Sequence, residues 1–406
     1  MAEPQRIVIV GAGVGGATAA ATLRERGYAG EVVLLAAEDH PPYELPALSK
    51  GLLLGDTDEP DWVREADFYR ANDIELRRDT AATRVELGAR LVVDSKGGEH
   101  AFDRLLLATG SQPRSLPLPG ADLPGVRTLR TLDDALALRG AFSTVERIVI
   151  IGAGWIGTEA AAAARKHGLD VTVVDRIAAP LRPVLGAEVA KVFQDLHAEH
   201  GVQWRLNADI ARLTGTGSVD GLRLTDGTEL PADLVLVAVG VKPRVELAHT
   251  AGLELADDGG VAVDATLRTS APDVFAVGDI ASHFHPHHGK RLRVEHWANA
   301  KNQGAHVAAN LVGGEEPYTR APYFFSDQYD LGCEYRGVAD PDTDRLVVRG
   351  DLRERQFIAF WLREGRVVAA MNVNDWDNGD ALGRIVGERL TVPEEVLVKG
   401  DLSSVE

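Results

Sequence analysis

Ile7-Val8-Ile9-Val10-Gly11-Ala12-Gly13-Val14-Gly15-Gly16 runs from β-branched apolar residues into a glycine-rich turn and then into alanine-rich sequence, the order of a strand, a tight turn and a helix. The design returns at Ile148-Val149-Ile150-Ile151-Gly152-Ala153-Gly154-Trp155-Ile156-Gly157. In such a turn the first glycine permits the sharp bend, the second lets backbone approach a pyrophosphate, and the third lets helix pack on strand, with the helix N-terminus facing the phosphates. One copy is weak, because glycines serve many turns. Two copies in one local context predict two dinucleotide sites.

The punctuation beyond each turn repeats as well. After the first helix, Glu31 to Leu35 reads as a second strand ending near Glu38, a carboxylate able to bond ribose hydroxyls, although a solvated strand-end acid has the same appearance. Val171 to Val174 ends in Asp175, which would repel a 2′-phosphate and so favours NAD, with Arg176 and Arg182 nearby weighing the other way. Leu105-Leu106-Leu107-Ala108-Thr109-Gly110 is a buried strand stopped by glycine, and Leu234 to Gly240 repeats that pattern. Pro41 to Lys50 cannot become regular until after Pro46 and reads as a loop across a site, followed by a short helix carrying Lys50.

Composition sets outer limits. The 406 residues suffice for two or three domains, and 45% hydrophobic with 26% charged is ordinary globular usage. No apolar run is long enough to span a bilayer and no signal segment is visible, so a cytoplasmic protein without a membrane partner is expected. A net charge of −18 disfavours nucleic acid. Cys333 is the only cysteine, which excludes a disulfide framework, a cysteine-rich cluster and a two-thiol relay within one chain, and reads as a small, partly buried hydrophobe. His283, His285, His287 and His288 near Asp279 match no zinc spacing and are expected in a solvated loop, with no metal.

Thr269 to Asp279 adds a short apolar strand ending in Gly278-Asp279. With both glycine turns and both strand stops in order, the chain resembles the two-dinucleotide flavoprotein reductases, in which this Gly-Asp places a carboxylate on the FAD ribityl chain. Leu48-Ser49-Lys50, Arg293 to Asn299 and Phe325 to Tyr329 resemble more closely the FAD-dependent ferredoxin reductases of the bacterial haem-thiolate monooxygenase and ring-hydroxylating dioxygenase type. The fold so implied is α/β, with two Rossmann-like domains of the glutathione reductase kind and a C-terminal α+β domain. Its boundaries would be 1–112 with 242–316 for FAD, 113–241 for NAD, and 317–406 as an interface domain.

The resemblance also implies an activity and a site. It implies an enzyme that takes hydride from NADH onto FAD and passes electrons singly to a separate two-iron two-sulfur ferredoxin feeding an oxygenase. Rubredoxin or quinone as acceptor, or a redox-sensing role like that of apoptosis-inducing factor, are the alternatives. By resemblance Lys50 lies near the flavin N5 and pairs with Glu159, while Glu295 faces the nicotinamide. Ala82, Thr109, Gly110, Arg130, Gly278, Asp279 and Trp297 join Gly11, Gly13, Gly15, Gly16 and Glu38 around FAD; Trp155, Ile156 and Gly240 join Gly152, Gly154, Gly157 and Asp175 around NAD. Disulfide reductases of this fold carry a cysteine pair beside the flavin and related peroxidases a single cysteine where this chain has Pro41 to Lys50; no cysteine precedes Cys333 here, so electrons would pass to an external acceptor directly. Phe325 stands where many relatives have Trp, which keeps the apolar plane and loses the indole donor. A monomer is expected of a protein that offers one face to a carrier, with Arg64 and Lys301 as basic candidates for docking.

Overall fold

A computed structural model describes residues 4–405, which fold into two compact units. One comprises Met1–Leu45, Asp61–Gln112 and Lys242–Pro322; the other comprises Pro46–Pro60, Pro113–Val241 and Tyr323–Glu406.

The first unit is built on a parallel sheet of five strands in the order Val274–Ala276, Arg104–Leu107, Arg6–Val10, Glu31–Leu35 and Ile74–Arg77. Ile7, Val8 and Ile9 are fully buried at its centre, which is why that strand reads as an unbroken apolar run rather than an alternating one. Helix Val14–Glu25 leaves the first glycine turn and packs against helix Trp297–Leu311. Two small sheets complete the unit: Ala82–Glu86, Leu91–Asp94 and Glu99–Ala101, and Val261–Val263, Ala281–His285 and Lys290–Arg293.

The histidine segment departs from expectation in part: His287, exposed, and His288, half-buried, lie in the turn after strand Ala281–His285, but the two before them do not. His283 and His285 are 2% and 1% exposed on strand Ala281–His285, while Phe284 between them is 43% exposed. The strand turns these two imidazoles inward, where a solvated loop is expected from the sequence. Among the described residues no group of three His, Cys, Asp or Glu side chains is placed to hold a metal ion.

The second unit repeats the parallel motif with strands Gln203–Arg205, Asp170–Val174, Arg147–Ile151, Leu234–Val237 and Val126–Arg127. Helix Trp155–Lys166 follows the second glycine turn. The unit also holds an antiparallel sheet ordered Tyr323–Gln328, Leu331–Gly337, Arg366–Val373, Gln356–Arg363 and Arg345–Asp351, whose core residues Tyr335, Phe357 and Trp361 cluster with Leu185, Val189 and Phe193 of helix Arg182–Glu199. Pro46 is already inside a short 3-10 turn, Leu45–Leu48, because proline fits an early helical position. Lys50 then caps helix Gly51–Leu54, anchored by Leu53 among Leu138, Phe142 and Ala160. Among the described residues no helix is long and apolar enough to cross a membrane.

Candidate dinucleotide and redox site

The two glycine turns match atom for atom. Gly11 and Gly152 have φ of +104° and +111°, and a Cβ on them would stand 2.2 and 2.3 Å from the carbonyl oxygens of Ala108 and Ala238. A Cβ on Gly16 or Gly157 would stand 2.0 Å from the carbonyl oxygen of Gly11 or Gly152. These four are required by the protein itself. Gly13 and Gly154 are different: their φ values of −62° and −83° suit any residue, and among the described residues no atom beyond the adjoining ones lies within 4 Å of where a Cβ would be. Both begin helices that have no side-chain cap and no acid in the first turn, so the first N–H groups are left to an outside acceptor. An open cradle under uncapped amides fits a pyrophosphate in each unit. Gly15 has a different task, lying where a Cβ would be 3.2 Å from the Ala300 carbonyl oxygen.

The strand-end acids are not equivalent. The amides of Gly11 and Gly152 donate to the carbonyls of Leu35 and Val174, so Asp175 corresponds to Ala36, and Glu38 lies two residues beyond it. Asp175 accepts from Ala153 N at 2.6 Å, bracing the turn, and from Arg176 N at 2.6 Å and Ile177 N at 3.2 Å. Arg176 itself pairs with Asp209. Glu38 is exposed and accepts from the Tyr43 hydroxyl at 2.7 Å.

Elsewhere in the first unit, Asp279 is 8% exposed and accepts from Ser111 Oγ at 2.5 Å. Gly278 has φ of +75° and donates its amide to Gln303 Oε1 at 2.8 Å, while the buried Gln303 Nε2 has no hydrogen-bond partner among the described residues. This orphaned donor beside the Gly-Asp turn is a second sign that a polar group from outside completes the site. Thr109 Oγ1 donates to the Arg244 carbonyl at 2.6 Å, and Gly110 turns the chain with φ of +66°. Trp297 Nε1 donates to Glu44, whose other oxygen accepts from Lys301 Nζ at 2.7 Å, with that ammonium 4.8 Å from the Trp297 ring centre. Lys301 is thereby engaged within its own unit, as Arg64 is with Glu25 and Phe68. Glu295 pairs with Arg293. Ala82 is half-buried at the start of its strand, Ala82–Glu86.

In the second unit, Lys50 Nζ donates to Glu159 Oε1 at 2.6 Å, with the two side chains 16% and 5% exposed. Ser49 Oγ donates to Glu159 Oε2 at 2.5 Å and Ser326 Oγ to Oε1 at 2.6 Å. The Lys50 ammonium also lies 5.1 Å from the centre of the Phe325 ring, so phenylalanine there still offers a π face to a cation. Sequence reasoning gave neither serine a role, although Leu48-Ser49-Lys50 and Phe325 to Tyr329 are two of the segments that carry the resemblance. Trp155 packs its ring on Phe193 and Phe324, and Ile156 is 43% exposed at the mouth of the second turn. Gly240, with φ of +90°, accepts from Arg114 N at 2.9 Å, as Gly110 accepts from Arg244 N at the same distance. Arg130 lies in this second unit, its amide donating to Asp134 Oδ2 at 3.0 Å beside the capping box of helix Leu132–Phe142.

Comparison with known proteins finds relatives over nearly the whole chain. Residues 323–403 match the reductase C-terminal family. Putidaredoxin reductase of Pseudomonas putida is 36% identical over 398 residues, covering 96% of this chain and 94% of the relative. The ferredoxin–NAD(+) reductase component of the anthranilate 1,2-dioxygenase system of Burkholderia cepacia is 38% identical over 382 residues, covering 94% and 92%. A crystal structure of a ferredoxin reductase from Rhodopseudomonas palustris superposes with a TM-score of 0.94 at 35% identity, covering 98% of this chain and 99% of that one. Residues 5–304, which hold both glycine turns and the Gly278-Asp279 stop, match the family described as pyridine nucleotide-disulphide oxidoreductase, and the chain belongs to it.

Proposed function

We propose that the chain is an FAD-dependent NADH:ferredoxin reductase that supplies an oxygenase. The observation that carries this reading is the pair of open mid-turn glycines, Gly13 and Gly154, one under each uncapped helix. Support for the acceptor comes from the relative that serves a dioxygenase system as its ferredoxin–NAD(+) reductase. The family name speaks of disulphides, yet Cys333 is the only cysteine, 1% exposed, with burial pushing its thiol far above its ordinary range. Such a thiol is a poor nucleophile, so electrons leave without a sulfur relay.

FAD, when bound, supplies a ring that takes two electrons as hydride and returns them one at a time. The chain's own residues bind and orient. Gly11, Gly13, Gly15 and Gly16 would hold the FAD pyrophosphate, Glu38 its ribose and Asp279 its ribityl chain, with Ala82, Thr109, Gly110, Arg130, Gly278 and Trp297 around it. Gly152, Gly154 and Gly157 would hold the NADH pyrophosphate, with Asp175, Trp155, Ile156 and Gly240 placing the rest. Lys50 and Glu159 act electrostatically on hydride transfer rather than as nucleophiles, and Glu295 faces the nicotinamide. Residues 1–112 and 242–316 are assigned to FAD, 113–241 to NADH, and 317–406 to the acceptor face. The acceptor carries a two-iron two-sulfur cluster, and the enzyme works as a cytoplasmic monomer; the net charge of −18, which keeps copies apart, supports that state.

The test mixes FAD-loaded protein with NADH and a panel of small two-iron two-sulfur ferredoxins, following cluster reduction by absorbance. Reduction of at least one ferredoxin is expected. Failure with the whole panel and with ferricyanide sinks the assignment.

A further inference from the structure

A line of buried polar side chains runs away from Glu159 through the second unit. Ser326 Oγ donates to Glu159 Oε1 at 2.6 Å, Gln328 Nε2 donates to Ser326 Oγ at 3.0 Å, and His197 Nε2 lies 2.7 Å from Gln328 Oε1. Ser326 and Gln328 are each 1% exposed and His197 is fully buried. Tyr329 Oη lies 3.5 Å from His197 Nδ1.

Chemistry sets the direction of this line. A carboxylate facing the Lys50 ammonium only accepts, so Ser326 spends its single hydrogen on Glu159. Its oxygen must then receive an N–H from Gln328, which turns the amide oxygen toward His197. His197 must therefore present Nε2–H and leave Nδ1 as an acceptor facing Tyr329. Every donor points toward Glu159, and bonds aligned in this way polarise one another. Burial pushes the His197 imidazole down to about 4, so it stays in its singly protonated form at neutral pH and can hold this tautomer.

Tyr329 adds an independent sign. It adopts φ of +56°, a region unfavourable for a bulky side chain, in the two-residue turn between strands Tyr323–Gln328 and Leu331–Gly337. The strained residue is held by its ring, stacked 3.7 Å from His200 and edge-on to His197 at 5.1 Å. Asparagine or glycine would ease the backbone there, but neither would close the line.

We propose that Ser326, Gln328 and His197 are positioning residues for hydride transfer, forming a one-way hydrogen-bond chain that fixes the Glu159 carboxylate and, through it, the Lys50 ammonium. The inference rests on the reading that Lys50 and Glu159 act in flavin reduction. None of the three touches substrate; each acts through Glu159.

The test compares Ser326→Ala, Ser326→Thr and Glu159→Gln in the FAD-loaded protein by stopped-flow reduction with NADH, and adds ¹⁵N spectra of histidine-labelled protein. Ser326→Ala is expected to lower the limiting reduction rate about tenfold, with the half-saturating NADH concentration moving less than about threefold. Ser326→Thr restores the hydroxyl and returns the rate to within about threefold of the parent. In the parent, the His197 resonances report Nε2–H, and in Ser326→Ala that tautomer loses its preference. A parent Nδ1–H tautomer overturns the inference. If Glu159→Gln slows reduction and Ser326→Ala does not, the positioning chain alone falls. If Glu159→Gln has no effect, the role of the Lys50–Glu159 pair falls and takes the chain with it. Gln328→Met, which keeps side-chain length and removes the amide, is read in the same way should Ser326→Ala fail to fold.

Discussion

Gly154 has φ of −83° and ψ of −173°, and among the described residues a methyl group added to it would meet no atom within 4 Å beyond the adjoining ones. Gly157, three residues on, would put that methyl 2.0 Å from the Gly152 carbonyl oxygen. The motif is one pattern in sequence but two physical demands, one made by the ligand and one by the chain. Gly154→Ala should keep the fold, losing no more than about 1 kcal/mol for alanine at an N-cap, while weakening NADH binding at least about tenfold. Gly157→Ala should lose folded protein. Melting temperature and a fluorescence titration with NADH separate the two, and equal loss of stability in both variants would show that Gly154 also serves the fold. This distinction is legible in the amino-acid sequence, because turn chemistry is local. The partners of Glu159 are not: Ser49 and Ser326 stand 110 and 167 residues away from it in sequence, and serine carries no spacing that foretells a buried acceptor. Lys50 itself emerges through family resemblance, since nothing in its own segment names Glu159.

Helices Val14–Glu25 and Trp297–Leu311 meet where neither has a side chain. A Cβ on Gly304 would stand 2.2 Å from the Gly15 carbonyl oxygen, and one on Gly15 would stand 3.2 Å from that of Ala300. Backbone touches backbone there, so the later helix fixes the height of the first glycine turn. Gly304→Ala must push the helices apart, and it should lower the melting temperature of the FAD-free protein and loosen FAD together. Release of FAD on gel filtration with an unchanged melting curve would contradict that account. In sequence Gly304 looks like a weak point in a helix, because the contact that explains it, with Gly15, lies 289 residues away. Strand Ala281–His285 is misleading for the opposite reason. Its imidazoles face inward and its phenylalanine outward, against the usual rule that apolar residues mark the buried face, and a strand stands where a loop is expected. The parallel strands, apolar on both faces, offer no such ambiguity.

Across the molecule, the buried imidazoles of His197 and His283 and the half-buried one of His296 link stability to pH. His197, His283 and His296 are each pushed down to about 4 from 6.5, in every case by burial first; the neighbouring imidazoles of His200 and His285 add to the effect on His197 and His283, whereas Asp279 pulls His296 back up. The unfolded chain takes up these protons near pH 6.5 and the folded chain does so only near 4, so the stability they confer is complete above 6.5 and is lost as pH falls toward 4. Carboxylates held below their ordinary range by hydrogen bonds and cations, such as Asp233 beside Arg147 and Asp226 beside Thr228, lose their contribution only at lower pH. The net charge of −18 works against this trend, since acidification relieves self-repulsion, but salt near 0.15 M screens charges beyond roughly 8 Å and leaves buried groups untouched. The imidazoles therefore win between pH 6.5 and 4.5 at that salt. Unfolding free energy from denaturant titrations should fall across this window with a slope matching about three protons, and His283→Leu should remove about one of them. Because His283 and His296 belong to the first unit and His197 to the second, separate transitions would divide that slope roughly two to one. A flat profile would mean that these rings take up protons in the folded protein, and the tautomer assigned to His197 would then hold only at higher pH.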